Sequence, residues 1–364
     1  MKRLKLKHAA IILILTICMN ISGKAAQDEY SKNKHKEYDV NEQTVLVLSN
    51  KYGDVDITNW QQDKVSIDVT ITVDHRREEK AKELLEDILV EINKQNNTIE
   101  AVTEFDKNFS RSGGLFNFGD DSKEFRIDYN VKIPRYMNLE LENKYGDVFI
   151  NEITGHADIA VKYGNLKANK ILRDNSKPLS HVNLAYSNGS IGEVNWLKLT
   201  LKYTPNNCKI EKAKALIAVT KYSKLNVEQA SSIVCESKYD NYRLGSLSNI
   251  VCEAKYTDFR VDQVTKKIDL VSEYGDFSVS NIPKGFEKIK VDNKYGKVDV
   301  GIDENASYQL KGEANYADID FPSSGSVSRI QKNTEMKVSG LVGKDENTES
   351  EVNITTKYGN VDLK

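Results

Sequence analysis

Ile268-Asp-Leu-Val-Ser-Glu-Tyr-Gly-Asp-Phe-Ser-Val-Ser-Asn-Ile282 is the stretch whose reading decides the fold. Apolar or small residues alternate up to Tyr274, at Ile268, Leu270 and Ser272. After Gly275-Asp276 the alternation resumes out of phase, at Phe277 and Val279. Period-2 patterning on both sides of a Gly-Asp break reads as two short strands meeting at a corner. Gly tolerates positive φ and Asp bonds nearby backbone amides, so the turn is expected at the Gly-Asp pair.

The unit recurs. Lys51-Tyr52-Gly53-Asp54, Lys144-Tyr145-Gly146-Asp147, Lys162-Tyr163-Gly164-Asn165, Lys294-Tyr295-Gly296-Lys297 and Lys357-Tyr358-Gly359-Asn360 repeat it, with looser copies at Tyr186, Tyr203, Tyr222, Tyr239, Tyr256 and Tyr316. From Tyr145 to Tyr316 successive tyrosines stand 18, 23, 17, 19, 17, 17, 18, 21 and 21 residues apart. A near-constant period of this length marks one turn of a solenoid. The expected fold is therefore all-β: a single-stranded parallel β-solenoid (β-helix or β-roll) of about 12 short coils. About five inward side chains per coil, at about 1.5–3 kcal/mol each, cannot hold a lone coil, but stacked coils share their core. The Ser-Asn and Thr-Pro corners between Tyr186 and Asn207 depart from the pattern and predict a bulged coil.

Each residue type at the corner has its own expected place. Tyr shares parity with the inward positions, which predicts a ring ladder inside the corner or at its lip, with an exposed aromatic strip as the other reading. Lys202, Lys221, Lys238 and Lys255, each one residue before its Tyr in four consecutive coils, should point outward. Neighbouring ammoniums there repel by about 0.8 kcal/mol in water, and Glu236, Glu253 and Glu313 on the same face offset part of this. That column is either a solvated, charge-mixed face or a linear array for a polyanion such as an acidic glycan. Cys235 and Cys252 fall at equivalent positions in adjacent coils and should stack as buried free thiols, although their spacing permits a disulfide.

Composition bounds the function. The 364 residues carry 52 Lys+Arg against 54 Asp+Glu, a formal net charge of -2, which gives no support for a nucleic-acid binder. Residues 1–26 have the form of a signal peptide: a basic start at Lys2-Arg3, an apolar run from Ala9 to Ile21, and small residues at Ala25-Ala26. The large Ile17 before Cys18 argues against lipidation at that cysteine. No further hydrophobic stretch of transmembrane length follows, so an exported protein of the periplasm, outer surface or medium is expected. The five His are scattered and no CxxC pair occurs, so no catalytic set, metal site or cofactor is expected.

The period fails twice. Residues 27–37 read as a polar linker, 38–135 as the first coil plus a helix-containing cap, and 136–364 as solenoid repeats. Within the cap, Val65 to Val73 reads as a strand. Ala81, Leu84, Leu85, Ile88, Leu89 and Ile92 then follow helical spacing, which predicts a helix of about 18 residues opening at Asp74 and stopping at Asn96-Asn97. Ile99 to Phe105 and Phe125 to Ile133 alternate like strands. Between them Phe109, Phe116 and Phe118 sit among Gly, Ser and Asn, either as an exposed contact tip or folded back on the cap. Pro322 to Ser350 reads as a long hairpin or loop.

Repeated Tyr-Gly-Asp corners, a leader and one helix-bearing insertion together resemble the exported bacterial "putative adhesin" β-solenoid family, related to the auto-transporter adhesin head-domain group of Bacteroidetes type. The resemblance spans 38–364. It implies surface adhesion or scaffolding and brings no catalytic residues. The expected function is a non-enzymatic cell-envelope or surface protein, an adhesin or interaction scaffold whose partner is a glycan or protein at the cell surface. A carbohydrate-binding or carbohydrate-active β-helix protein, and an envelope sensor or regulatory partner, stand as alternatives. Lys202, Lys221, Lys238, Lys255, Phe109, Phe116 and Phe118 are the candidate contact residues.

Overall fold

The computed structural model describes residues 29–107, 109 and 125–364. The leader-like segment with Cys18, and the loop residues Phe116 and Phe118, lie outside the described residues. The remainder is an all-β parallel solenoid with a single α-helix among the described residues. Strands before each Tyr stack in parallel on their equivalents, as Lys224–Lys238 does on Asn241–Lys255, and strands after each Tyr do the same. The inward residues around Tyr274, namely Ile268, Leu270, Phe277, Val279 and Ile282, are each at most 3% exposed. The alternation read on both sides of the corner is therefore the alternation of core and surface.

Nine corners, from Tyr145 to Tyr295, wind in chain order, fewer than the dozen expected of a simple array. The last part of the chain does not add coils in sequence. Tyr308–Asn315 takes the outer place, and the chain then returns through the antiparallel hairpin Gly325–Lys332 and Glu335–Val342. Glu351–Lys357 then slots between Lys288–Lys294 and Tyr308–Asn315, parallel to both. Tyr358 thus lies between Tyr295 and Tyr316. The hairpin covers the open edge at this end, with Glu335–Val342 antiparallel to Tyr308–Asn315.

The other edge is closed by the insertion. Strand β1 (Glu29–Asp39) pairs antiparallel with β4 (Lys64–Asp74), beyond the first coil formed by β2 (Val45–Lys51) and β3 (Val55–Asn59). Most of the expected linker 27–37 is therefore strand. Helix α1 spans Glu78–Asp87, ten residues rather than about 18, and its N-cap is Arg77, not Asp74. The chain continues at once as β5 (Ile88–Gln95), which turns back antiparallel as β6 (Thr98–Phe105). Ile88, Val90 and Ile92 are buried while Leu89 is 40% exposed, so this segment follows the strand period. Ile88 and Ile92 also fit a helical stripe, which is why spacing alone extended the helix. Strand β6 lies parallel on β2, and β7 (Phe125–Ile133) lies parallel on β3 and antiparallel to β4.

Cys235 and Cys252 correct the free-thiol expectation: they form a disulfide across adjacent coils, with Cα atoms 4.6 Å apart. Their shared register places both inward side chains at one level of the core. Cys208 is the free cysteine among the described residues, and burial pushes its thiol pKa up to about 12. The bond links residues 17 apart, and closing a loop of that size is worth about 3 kcal/mol in the chain-entropy account. Reductant should lower the melting temperature of the wild type and leave the Cys235→Ala/Cys252→Ala variant unmoved. A wild-type melting temperature that does not change once both thiols are shown to be free would contradict the bond's contribution.

Candidate interaction surface

The corner tyrosines form the expected ring ladder, but they overturn the inward placement of the rings and the glycine as the left-handed residue. Each of the twelve has φ between 52° and 67°, so the left-handed residue is the Tyr and not the Gly. A bulky residue in this region costs roughly 1–2 kcal/mol and needs compensation. The left-handed backbone also turns the ring outward, against the parity of the strand. Eleven of the twelve rings are 40–57% exposed. They stack face to face in one ladder, with centroids 4.6–5.2 Å apart and planes within 3–19° of parallel. Each contact of about 0.5–1.5 kcal/mol is shared by two rings, so the ladder returns about one contact per tyrosine and offsets part of the backbone cost.

Gly is required for clearance. A Cβ on Gly146 would lie 1.9 Å from the carbonyl oxygen of Gly53, and one on Gly296 would lie 1.9 Å from that of Gly275. The inward residue two before the Tyr satisfies that carbonyl: Asn143 Nδ2 donates to the oxygens of both Gly53 and Gly146. The Asp after the Gly accepts the next coil's amide, as Asp54 Oδ1 does from Asp147 N–H at 2.7 Å and Asp276 Oδ1 from Lys297 N–H at 2.8 Å.

The central coils use a second corner. Ser187, Thr204, Ser223, Asp240 and Thr257 replace Gly and turn their side chains into the core. Here main-chain bonds link successive coils directly, such as Asn241 N–H to Ser223 O at 3.0 Å. The bulge expected near Asn207 is present: Cys208 pairs with Gly189 although it stands two residues further from its own Tyr. Asp240 is the centre of this inner row. Its carboxylate accepts from Ser223 N–H (2.7 Å), Lys238 N–H (2.9 Å) and the hydroxyls of Ser237 (2.7 Å) and Thr220 (2.5 Å). Burial raises its pKa, and the four donors pull it back only in part.

The candidate lysines divide. Lys202, Lys221 and Lys238 stand in register on three consecutive coils, and none forms an ion pair among the described residues. The ammoniums of Lys221 and Lys238 lie 5.2 and 5.5 Å from the centroids of Tyr222 and Tyr239. Lys255 is bound to Glu273 of the next coil at 3.0 Å, and that bond raises its pKa. Glu273 also ends the lysine column. Across the ladder, Arg243 and Arg260 face outward in register on adjacent coils, a basic pair that sequence reading passed over. Counting positions from each Tyr, rather than scanning for motifs, would have found it. Phe109 is 1% exposed and packs on Phe105 and Phe125, whose edges close the Tyr52 end of the ladder. It therefore belongs to the cap and offers no contact surface.

At Tyr222, truncation to Ala loses two ring contacts and keeps the backbone cost, whereas Gly loses the contacts and is relieved of that cost. Tyr222→Gly should therefore be more stable than Tyr222→Ala by about 1 kcal/mol, the reverse of the usual order inside a strand. Equal stabilities in thermal melts would count against the left-handed assignment. Asp240→Ala strands several buried donors and should cost about 1–3 kcal/mol. A native pKa above the ordinary 3.8 means the folded state holds the proton more tightly. Wild-type stability from this group thus rises as pH falls through the native value toward 3.8, and the gap to Asp240→Ala should widen over that window. A gap that narrows on acidification would show a carboxylate favoured by folding.

Residues 199–364 match the family described as Toastrack DUF4097. No curated protein matches the chain. Among solved structures, a putative cell adhesion protein from Clostridium sporogenes is 13% identical, with 92% of this chain and 99% of that one covered, at a TM-score of 0.20. A putative adhesin from Parabacteroides merdae is 12% identical over 74% of this chain and 96% of its own, at a TM-score of 0.29. A putative lipid binding protein from Parabacteroides distasonis is 10% identical over 91% and 96%, at a TM-score of 0.26. Scores this low carry no argument about function. The match covers the coils from 199 to 364, a little under half of the chain, and agrees with the resemblance carried by the Tyr-Gly-Asp corners.

Proposed function

We propose that this protein is a non-enzymatic, exported surface scaffold that holds a partner along its tyrosine ridge. One observation carries this reading: an unbroken ladder of exposed rings runs the length of the solenoid, bordered at its centre by lysines that have no acidic partner among the described residues. A contiguous ridge of exposed aromatic edges is typical of contact surfaces, and the cations beside it add attraction for an anionic partner.

Three further features support it. The carboxylates recurring at the corners, which a carbohydrate-active enzyme would need free in one groove, are engaged in holding backbone amides of the next coil. The leader-like residues 1–26 fit export. The disulfide suits an oxidising compartment. No helix among the described residues is long and apolar enough to cross a membrane.

The test is binding of the labelled protein to intact cells, envelope fractions and extracellular matrix, beside Lys202→Glu/Lys221→Glu/Lys238→Glu. The reading expects retention of the wild type and loss of the variant, with both folded by circular dichroism. Retention that is indifferent to the charge reversal, or no retention on any surface, would overturn it.

A further inference from the structure

The ridge constrains what it can hold. The faces of Tyr203, Tyr222 and Tyr239 are covered by neighbouring rings at 4.8, 5.2, 5.0 and 4.7 Å. Only ring edges and hydroxyls reach solvent. A sugar therefore cannot lie flat on a ring, and recognition must come from hydroxyl hydrogen bonds and from charge. Positive charge flanks these rungs on both sides: Lys202, Lys221 and Lys238 before the ladder, Lys224 and Arg243 after it, with Arg260 one coil further on beside Tyr256. Beyond the lysines runs an acidic row, Glu236 and Glu253 in register, and beyond the arginines stand Glu228 and Asp262. The basic strip thus spans three coils, and its acidic borders disfavour ligands of very high charge density.

Resting on the scaffold reading above, we propose that the ridge over Tyr203, Tyr222 and Tyr239 binds an extended polyuronate, a glycan with one carboxylate per sugar. Such a chain is extended and its carboxylates alternate between its two sides, so those on one side recur every two strand spacings, ~10 Å. Carboxylates on one side can then meet the lysine column and those on the other side Lys224 and Arg243, and the phenol hydroxyls donate to ring and hydroxyl oxygens between them. A nucleic acid or heavily sulfated glycan brings denser charge against the Glu236 and Glu253 row.

The probe is an alginate decamer titrated against the full chain by calorimetry, with a neutral β-glucan of equal length, heparin and a DNA oligonucleotide alongside. Lys221→Gln/Lys238→Gln should weaken alginate binding at least tenfold. Tyr203→Phe/Tyr222→Phe/Tyr239→Phe keeps the stacked rings and so keeps the fold, yet should weaken binding several-fold, a loss that a purely structural ladder would not show. Equal binding of the neutral glucan, tighter binding of heparin or DNA, or indifference to the Phe variant would each overturn the proposal. If alginate fails to bind while the lysine reversal still abolishes retention on cells, the polyuronate is wrong and the scaffold reading stands. If both fail, both are wrong.

Discussion

At every corner a tyrosine ring lies about one strand spacing from the ring of the coil beneath it, and the backbone that carries it is left-handed. Stacking and backbone cost are coupled. A lone tyrosine in this conformation would be unfavourable by roughly 1–2 kcal/mol. In a ladder the ring contacts, each shared by two neighbours, offset part of that cost, and the buried core beneath the corner supplies the rest. The corner is therefore a property of the array, as is the shared core beneath it.

That spacing explains the residue next to the tyrosine. When the carbonyl of one corner points at the next, no Cβ fits, and Gly follows; the inward Asn at 50, 143 and 293 then supplies the donor for the carbonyl. When the main chain bonds directly between coils, the position admits a side chain, and it must be polar because it enters a row of buried amides. Ser187, Thr204, Ser223, Asp240 and Thr257 form that row, and Asp240 is the member that carries a titrating group into the core. The two corner types share one outer surface, so the ridge runs unbroken across the change.

The period-2 pattern around Tyr274 was enough to read strands, coils and core, because alternation between inside and outside is a local property of a strand. Three features were not legible in that way. The ring direction depends on a backbone dihedral, and parity arguments assume extended backbone throughout. The end of α1 falls where Ile88 and Ile92 satisfy both a helical and a strand period. The insertion of 351–364 between earlier strands is non-local: the step from Tyr295 to Tyr316 has the regular length of 21 residues, although the two rings are not neighbours. Of the contact candidates, the lysine column was readable from its position in the repeat. That Lys255 is paired and Lys238 is not depends on a single Glu273 in the next coil.

The central claim is that the corner Gly is selected by clearance and not by positive φ. The most direct test is the thermal stability of Gly296→Ala beside Gly296→Asn, since Asn tolerates the left-handed region far better than Ala. The clearance account predicts that both fall by similar amounts, about 1–3 kcal/mol or more, because either Cβ meets the Gly275 carbonyl at 1.9 Å. A near-native Gly296→Asn beside a destabilised Gly296→Ala would contradict it and return the turn to the glycine.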